Sequence, residues 1–257
     1  GFRLMPDTEN SDLIVVWGTN PVTDSPPTHF KKIIAAQKNK AKVIAIDHMR
    51  TDIARRADRW VAVRSGTDGA LALGMLNVVI NEKLYDREFV ENWTAGFAEL
   101  RAYVQEFTPE KVEQITLVPA QTLRALAREI ATTARACLHT YTGLEYTNSG
   151  VQNIRAVYIL WAITGHFDTP GGLYINNPAR PPLQKEDFTT SFDVPAIGAR
   201  EYPLFYELTG CAQYMEFPRA VLTETPYPVK GLLINGSSTL TAYPQPEIFA
   251  EAYRRLD

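Results

Sequence analysis

The residues of this chain best placed to do chemistry are two aspartates and a short polar loop near its start. Leu13-Ile14-Val15-Val16-Trp17 is a continuous apolar run that stops at Gly18-Thr19-Asn20-Pro21, and Val43-Ile44-Ala45-Ile46 is a second run that stops at Asp47. Further on, Ser65-Gly66-Thr67-Asp68 opens the apolar run at 70–80. Turns of this kind at the ends of buried strands suit a nucleotide, because ligands of open α/β sheets bind beyond the carboxyl ends of the strands. The chemistry would be binding, with backbone N–H groups and carboxylates facing a polar ligand.

The elements that must position these residues follow from the pattern. Short apolar runs closed by Gly, Pro or Asp read as strands covered on both faces, as in parallel sheets. Residues 28–40 carry apolar positions at Phe30, Ile33, Ile34 and Ala36, the spacing of an amphipathic helix. Strand, helix, strand makes a βαβ unit with a right-handed crossover. The sequence therefore predicts a doubly wound, mostly parallel Rossmann-like α/β sheet over residues 11–172, with helices on both faces and the strands at Leu13 and Val43 as neighbours. A nicotinamide-binding fingerprint is absent, since only Gly18 is present and Asp47 follows about 30 residues later rather than about 20. From these residues alone, a nucleotide loop and a plain turn beside a solvated strand end are equally open.

Residues further along favour the first. Asp47-His48-Met49-Arg50-Thr51 is followed by Ala54-Arg55-Arg56-Ala57-Asp58-Arg59-Trp60 and then Ser65-Gly66-Thr67-Asp68. In order, these segments resemble the molybdopterin oxidoreductase (dimethyl sulfoxide reductase) family, whose pattern is strand-G-x-N-P, strand-D-P-R-x-T, A-x-x-A-D-x-W and P-G-T-D. His48 and Ser65 each replace a usual proline. Leu84-Tyr85-Asp86-Arg87-Glu88-Phe89-Val90 and Thr94-Ala95-Gly96-Phe97 continue the resemblance, as does Thr164-Gly165-His166-Phe167-Asp168-Thr169-Pro170-Gly171-Gly172, with His166 where asparagine is usual. His166 is expected to be a structural loop histidine.

The resemblance implies a cofactor, molybdopterin guanine dinucleotide, two copies of which hold molybdenum or tungsten in the intact protein. It puts Asp68 on guanine N1–H and N2–H₂, Ser65, Gly66 and Thr67 at a helix start suited to polar or anionic atoms, and Asp47 on ribose hydroxyls. Gly18, Thr19 and Asn20 would approach the pyrophosphate, with Arg50 as a charge partner. Taken alone, Asp68 reads better as a first-turn carboxylate stabilising its helix by a few tenths to about 1 kcal/mol; the resemblance favours cofactor binding. A modest strand at 136–141 precedes Thr142-Gly143-Leu144-Glu145-Tyr146-Thr147-Asn148 and a helix at 151–164. For Gly143, Glu145 and Asn148, contact with the pterin and a simple turn with a helix N-cap are equal alternatives. Thr108-Pro109-Glu110 marks a helix start, and residues 119–128 read as an amphipathic packing helix.

Towards the end, residues 229–238 predict a fresh strand and loop, resembling the family's second strand-G-x-N-P loop for the other dinucleotide, with Gly236 and Ser237 as its site residues. A helix is expected at 247–255. The domain reading is residues 1–172 for one dinucleotide, 173–228 as an irregular connection, and 229–257 as the truncated opening of a second α/β cofactor domain. The chain reads as an internal fragment, inactive alone, with the metal ligand and any iron–sulfur cysteines expected upstream. Asn177-Pro178-Ala179-Arg180 matches a short piece of the formate dehydrogenase pattern, but Arg180 reads better as a loop arginine than as a catalytic residue. Residues 201–230 look more like the thiosulfate and polysulfide reductases.

Composition sets outer limits. The 257 residues are 45% hydrophobic with a net charge of −3, enough for a sizeable core and without the basic footprint of a nucleic-acid binder. No apolar run reaches the ~18 residues of a membrane span, and no signal peptide is read, which leaves cytoplasm and periplasm both open. Cys137 and Cys211 lie far apart and the four histidines are dispersed, so no metal-ligand spacing is read within the chain. For the intact protein the resemblance implies two-electron or oxygen-atom transfer on a small-molecule substrate, with an electron-transfer iron–sulfur subunit as partner. Alternatives are a redox-inactive relative such as the large iron–sulfur subunit of respiratory complex I, a redox-neutral hydratase or transhydroxylase, and a non-catalytic nucleotide-binding module.

Overall fold

The computed structural model describes residues 3–24, 27–176 and 194–257, and the chain divides into two compact units, Gly1–Ala179 and Arg180–Asp257. The segment with Arg180 lies outside the described residues.

In the first unit the elements run β1 (Arg3–Pro6), β2 (Leu13–Trp17), α1 (Thr28–Lys38), β3 (Lys42–Ile46), α2 (Asp52–Arg56), β4 (Arg59–Val61) and α3 (Asp68–Asn81). There follow α4 (Arg87–Trp93), α5 (Phe97–Tyr103), α6 (Pro109–Thr116), α7 (Ala120–Thr132), β5 (Ala136–Thr140), α8 (Thr142–Glu145), α9 (Gly150–Ile163) and β6 (Leu173–Asn176). Four strands form a parallel sheet in the order β4-β3-β2-β5, with Val15 opposite Ile44 on one side and Leu138 on the other. The expected parallel pairing of the strands at Leu13 and Val43 is therefore present.

Every side chain of β2 is buried, which is why its sequence is an unbroken apolar run. Leu13, Val15 and Trp17 face one layer with α3, α7 and α9, while Ile14 and Val16 face the other with Ile33 and Ala36 of α1 and Ile53 of α2. Burying such side chains contributes roughly 1.5–3 kcal/mol each. Helix α3 is apolar almost all round because it lies inside this layer, with Leu71, Met75, Leu76 and Val79 buried. Asp86 caps α4 through Phe89 N–H at 2.9 Å, and Thr108 caps α6 through Lys111 N–H at 3.3 Å with Pro109 in its first turn, as its sequence predicts. The helix expected at 28–40 ends at Lys38, because Lys40 turns to a φ of 72°.

Two features depart from the sequence expectation. Strands β1 and β6 pair antiparallel as a separate ribbon. Asp7 secures it, receiving Gly171 N–H at 2.8 Å on its carboxylate and donating its own N–H to Gly172 O at 2.9 Å. In the second unit, α10 (Pro203–Thr209), α11 (Phe217–Thr223), α12 (Thr239–Ala242) and α13 (Pro246–Tyr253) are helices, and the strand expected within 229–238 is not formed. A strand needs a neighbour to take its backbone hydrogen bonds; among the described residues of this unit there is none, and Leu233 stands 93% exposed. The unit is held by Phe217, Val221, Phe249 and Ala252, and by a hydroxyl chain in which Tyr253 lies 2.6 Å from both Tyr214 and Thr239. Among the described residues no helix is long and apolar enough to cross a membrane.

Candidate dinucleotide cavity at the strand ends

The sheet order reverses between β2 and β5, and at such a switch point the loops diverge and leave a crevice. Here the two loops first touch. Gly18 adopts a φ of 63°, and Gly143 N–H donates to Gly18 O at 3.0 Å. A Cβ on Gly143 would lie 2.4 Å from that oxygen, and one on Gly18 would lie 3.2 Å from the backbone of Gly143 and Leu144. Only a pair of glycines lets the two strand ends approach this closely.

Beside this contact opens a cavity of about 330 Å³ lined by Gly18, Asp47, His48, Val63, Ser65, Gly66, Asp68, Thr142, Gly143, Tyr146 and Thr147. It thus gathers the ends of β2, β3 and β5 and the start of α3. Among the described residues no lysine or arginine lines it, yet two carboxylates do. Asp68 is 5% exposed, and its Oδ1 accepts Trp17 Nε1–H at 2.8 Å, a bond that ties the end of β2 to the first turn of α3. Burial pushes the Asp68 carboxyl above the usual carboxylate range, with the Trp17 hydrogen bond working in the opposite direction and the nearby Asp47 adding to the rise. Asp47 is 9% exposed; its Oδ1 takes Met49 N–H at 3.0 Å and lies 3.1 Å from His48 Nδ1. Trp60 Nε1–H donates to the Asp47 carbonyl at 3.0 Å and braces the strand end.

The residues singled out from sequence separate into three groups. Gly18, Asp47, Ser65, Gly66, Asp68 and Gly143 come together around the cavity. Thr19, Asn20 and Thr67 are committed to local structure. Thr19 Oγ1 donates to Asp24 at 2.7 Å, Asn20 Oδ1 accepts Ile53 N–H at 3.2 Å, and Thr67 Oγ1 donates to Arg64 O at 2.7 Å. Arg50 sits over the Trp60 ring at 5.9 Å, and Glu145 and Asn148 are exposed and outside the lining. Gly236 and Ser237 belong to the second unit, where both are exposed. His166 is a buried structural residue whose Nε2 lies 2.8 Å from Ile130 O. Sequence reasoning passed over His48, Thr142, Tyr146 and Thr147, all of which lie within segments it had marked. Among the described residues, no three His, Cys, Asp or Glu side chains are grouped to hold a metal ion.

Comparison with known proteins gives the family. The family model described as molybdopterin oxidoreductase matches residues 4–243. Acetylene hydratase of Syntrophotalea acetylenica is 34% identical over 91% of this chain and 36% of its own length. Formate dehydrogenase H of Escherichia coli (strain K12) is 38% identical over 64% of the chain and 23% of its own length. The molybdopterin-containing subunit PhsA of thiosulfate reductase from Salmonella typhimurium is 28% identical over 91% and 33%. Among solved structures, acetylene hydratase from Pelobacter acetylenicus superposes with a TM-score of 0.85 at 30% identity, over all of this chain and 39% of that one. The chain thus spans about a third of the length of acetylene hydratase and PhsA. A family model that takes in the whole parallel sheet and the whole cavity leaves one assignment: this chain belongs to the molybdopterin oxidoreductase family.

Proposed function

We infer that the first unit binds the guanine dinucleotide arm of a molybdopterin cofactor in the cavity between Asp47 and Asp68. The observation that carries this is a nearly buried carboxylate, Asp68, kept in a cavity that no lysine or arginine lines among the described residues. A charge so placed costs stability unless a donor meets it. Guanine offers two donors on one edge, N1–H and N2–H₂, and each carboxylate oxygen has a lone pair to spare beyond the Trp17 bond. Asp47 would accept from the ribose, and the Gly18–Gly143 contact would admit the pyrophosphate close to the backbone. The residues present therefore fit the group. Residues 229–257, within the second unit, are read as the opening of the domain for the other dinucleotide.

When bound, the cofactor carries molybdenum or tungsten and supplies the two-electron chemistry, while the chain's own residues bind and orient it. For the intact protein, oxygen-atom or other two-electron transfer on a small molecule, fed by an iron–sulfur electron-transfer subunit, is the leading reading. The likeness to acetylene hydratase favours redox-neutral hydration as a second one. Assaying the intact protein with thiosulfate, dimethyl sulfoxide, formate and acetylene separates the two, since only the first consumes or delivers electrons.

The binding claim is tested by titrating GDP and ADP into the chain and into Asp68→Asn by calorimetry. Charge-assisted hydrogen bonds contribute about 1.5–3 kcal/mol each, so GDP should bind at least roughly tenfold more tightly than ADP, and Asp68→Asn should erase that preference. Equal affinity for both nucleotides, or an unchanged GDP affinity in the variant, would refute the assignment.

A further inference from the structure

A second cavity, of about 380 Å³, opens on the other side of the Gly18–Pro21 loop and, among the described residues, shares no lining residue with the first. Its walls come from β1, the loop after β2, the first turn of α1, the end of β5 and α9. Leu4, Met5, Pro6, Pro21 and Leu138 make it partly apolar, and the polar groups are concentrated around two imidazoles.

His139 stands at the bottom, 4% exposed, with its Nε2 2.9 Å from Thr8 Oγ1. The His29 ring meets it edge to face, with centroids 5.3 Å apart. Among the described residues no further hydrogen bond reaches the His139 ring, and no fully buried side-chain nitrogen lacks a partner, so Nδ1 opens onto the cavity. Nearby, the hydroxyls of Thr140 and Tyr158 lie 3.3 Å apart, a loose contact that leaves both able to bond elsewhere.

The charge state of this wall selects its ligand. Burial pushes His139 down to about 3, and burial together with the Lys32 charge lowers His29 as well, so near neutrality both rings are uncharged. Each then offers one donor and one acceptor nitrogen. Lys32 is engaged by Glu9 at 3.5 Å, while Asp24 Oδ2 already receives Thr19 Oγ1–H at 2.7 Å and Asn20 N–H at 2.6 Å. An anion would find no free positive group among the described residues of the lining and would face the Asp24 carboxylate. A cation would find only the Asp24 carboxylate, whose Oδ2 already accepts two hydrogen bonds, and two uncharged imidazoles. Taking either out of water without a partner is costly.

We propose that this second cavity is a binding site for a small uncharged molecule carrying a donor and an acceptor on one edge, as a carboxamide does, with an apolar body lying against Leu4, Met5 and Leu138. The site stands on its own lining and does not depend on the dinucleotide reading.

Benzamide, benzoate and benzamidine have the same shape and differ in charge, so they isolate this selection. Titrated into the ¹⁵N-histidine-labelled chain, benzamide should shift the His139 ring nitrogens saturably and bind at least tenfold more tightly than either charged probe. Tyr158→Phe and His139→Leu should each weaken it, and saturating GDP should leave its affinity unchanged. If His139→Leu fails to fold, the wild-type ring shifts and Tyr158→Phe still decide. Benzoate or benzamidine binding as well as benzamide, no saturable His139 response, or displacement by GDP would overturn the proposal.

Discussion

Replacing Gly143 by alanine probes the junction on which the candidate site is built. The new Cβ would sit 2.4 Å from Gly18 O, 2.8 Å from Gly18 Cα and 2.9 Å from Gly18 C, all of them backbone atoms. No rotamer change relieves a clash with backbone, so the ends of β2 and β5 must separate. That movement breaks the 3.0 Å bond from Gly143 N–H to Gly18 O. Overpacking costs about 1–3 kcal/mol and a lost hydrogen bond about 0.5–1.5 kcal/mol, giving about 2–4 kcal/mol in all. All four tryptophans, Trp17, Trp60, Trp93 and Trp161, lie in the first unit, so their fluorescence follows its unfolding without interference from the second. At an m-value of about 2 kcal/mol/M, the urea midpoint should fall by about 1–2 M. GDP affinity should fall with it, because the cavity wall moves. A Gly143→Ala chain with the wild-type midpoint would refute the reasoning, since it would mean that the two loops do not touch in solution.

Three further outcomes follow from the same geometry. Burial raises the Asp68 carboxyl in the folded state, so the folded chain holds that proton to higher pH than the unfolded one. This contribution therefore falls as pH rises from about 4 through the raised value; urea midpoints of wild type minus those of Asp68→Asn, measured across pH, should show this decline, and a flat or rising difference would contradict it. Cys137 is fully buried with its thiol pushed up to about 12, whereas Cys211 is exposed, so a thiol reagent at neutral pH should modify one cysteine quickly and the other only on unfolding. His166→Phe leaves the Ile130 carbonyl without its 2.8 Å partner inside the protein and should destabilise the first unit by about 1–3 kcal/mol, read again from tryptophan fluorescence.

The legible part of the fold was the part whose signal is local. The runs at β2 and β3 are apolar at every inward position because both faces of the sheet are covered, and such runs announce themselves in any sequence. The β1–β6 ribbon gave no such signal. Its strands have four residues each and are separated by the whole first unit, and what secures them is the Asp7 carboxylate on the Gly171 amide rather than any periodic pattern. Residues 229–238 show the reverse failure. Leu232, Leu233 and Ile234 carry the composition of a buried strand, but composition supplies no partner, and these side chains are exposed.

The site divides along the same line. Strand ends are marked by sequence, so Gly18, Asp47 and Asp68 could be picked out as facing one crevice, and the structure does bring them to one cavity. What the side chains do once there depends on contacts between distant residues. The Trp17–Asp68 bond joins positions 51 residues apart and takes one lone pair of the carboxylate, leaving the others for a ligand. That bond also holds the carboxylate in place before any ligand arrives, so less ordering remains to be done on binding. Thr19 and Asn20, chosen for a phosphate, instead close their own loop on Asp24 and Ile53, which fixes the backbone of Gly18 where the phosphate would pass. The same loop forms the shared wall of the two cavities, facing the strand-end carboxylates with Gly18 and the buried imidazole of His139 with Thr19 and Pro21. On the two readings proposed above, this loop would separate a carboxylate-lined site for the dinucleotide from a site for an uncharged ligand at the same ends of the sheet.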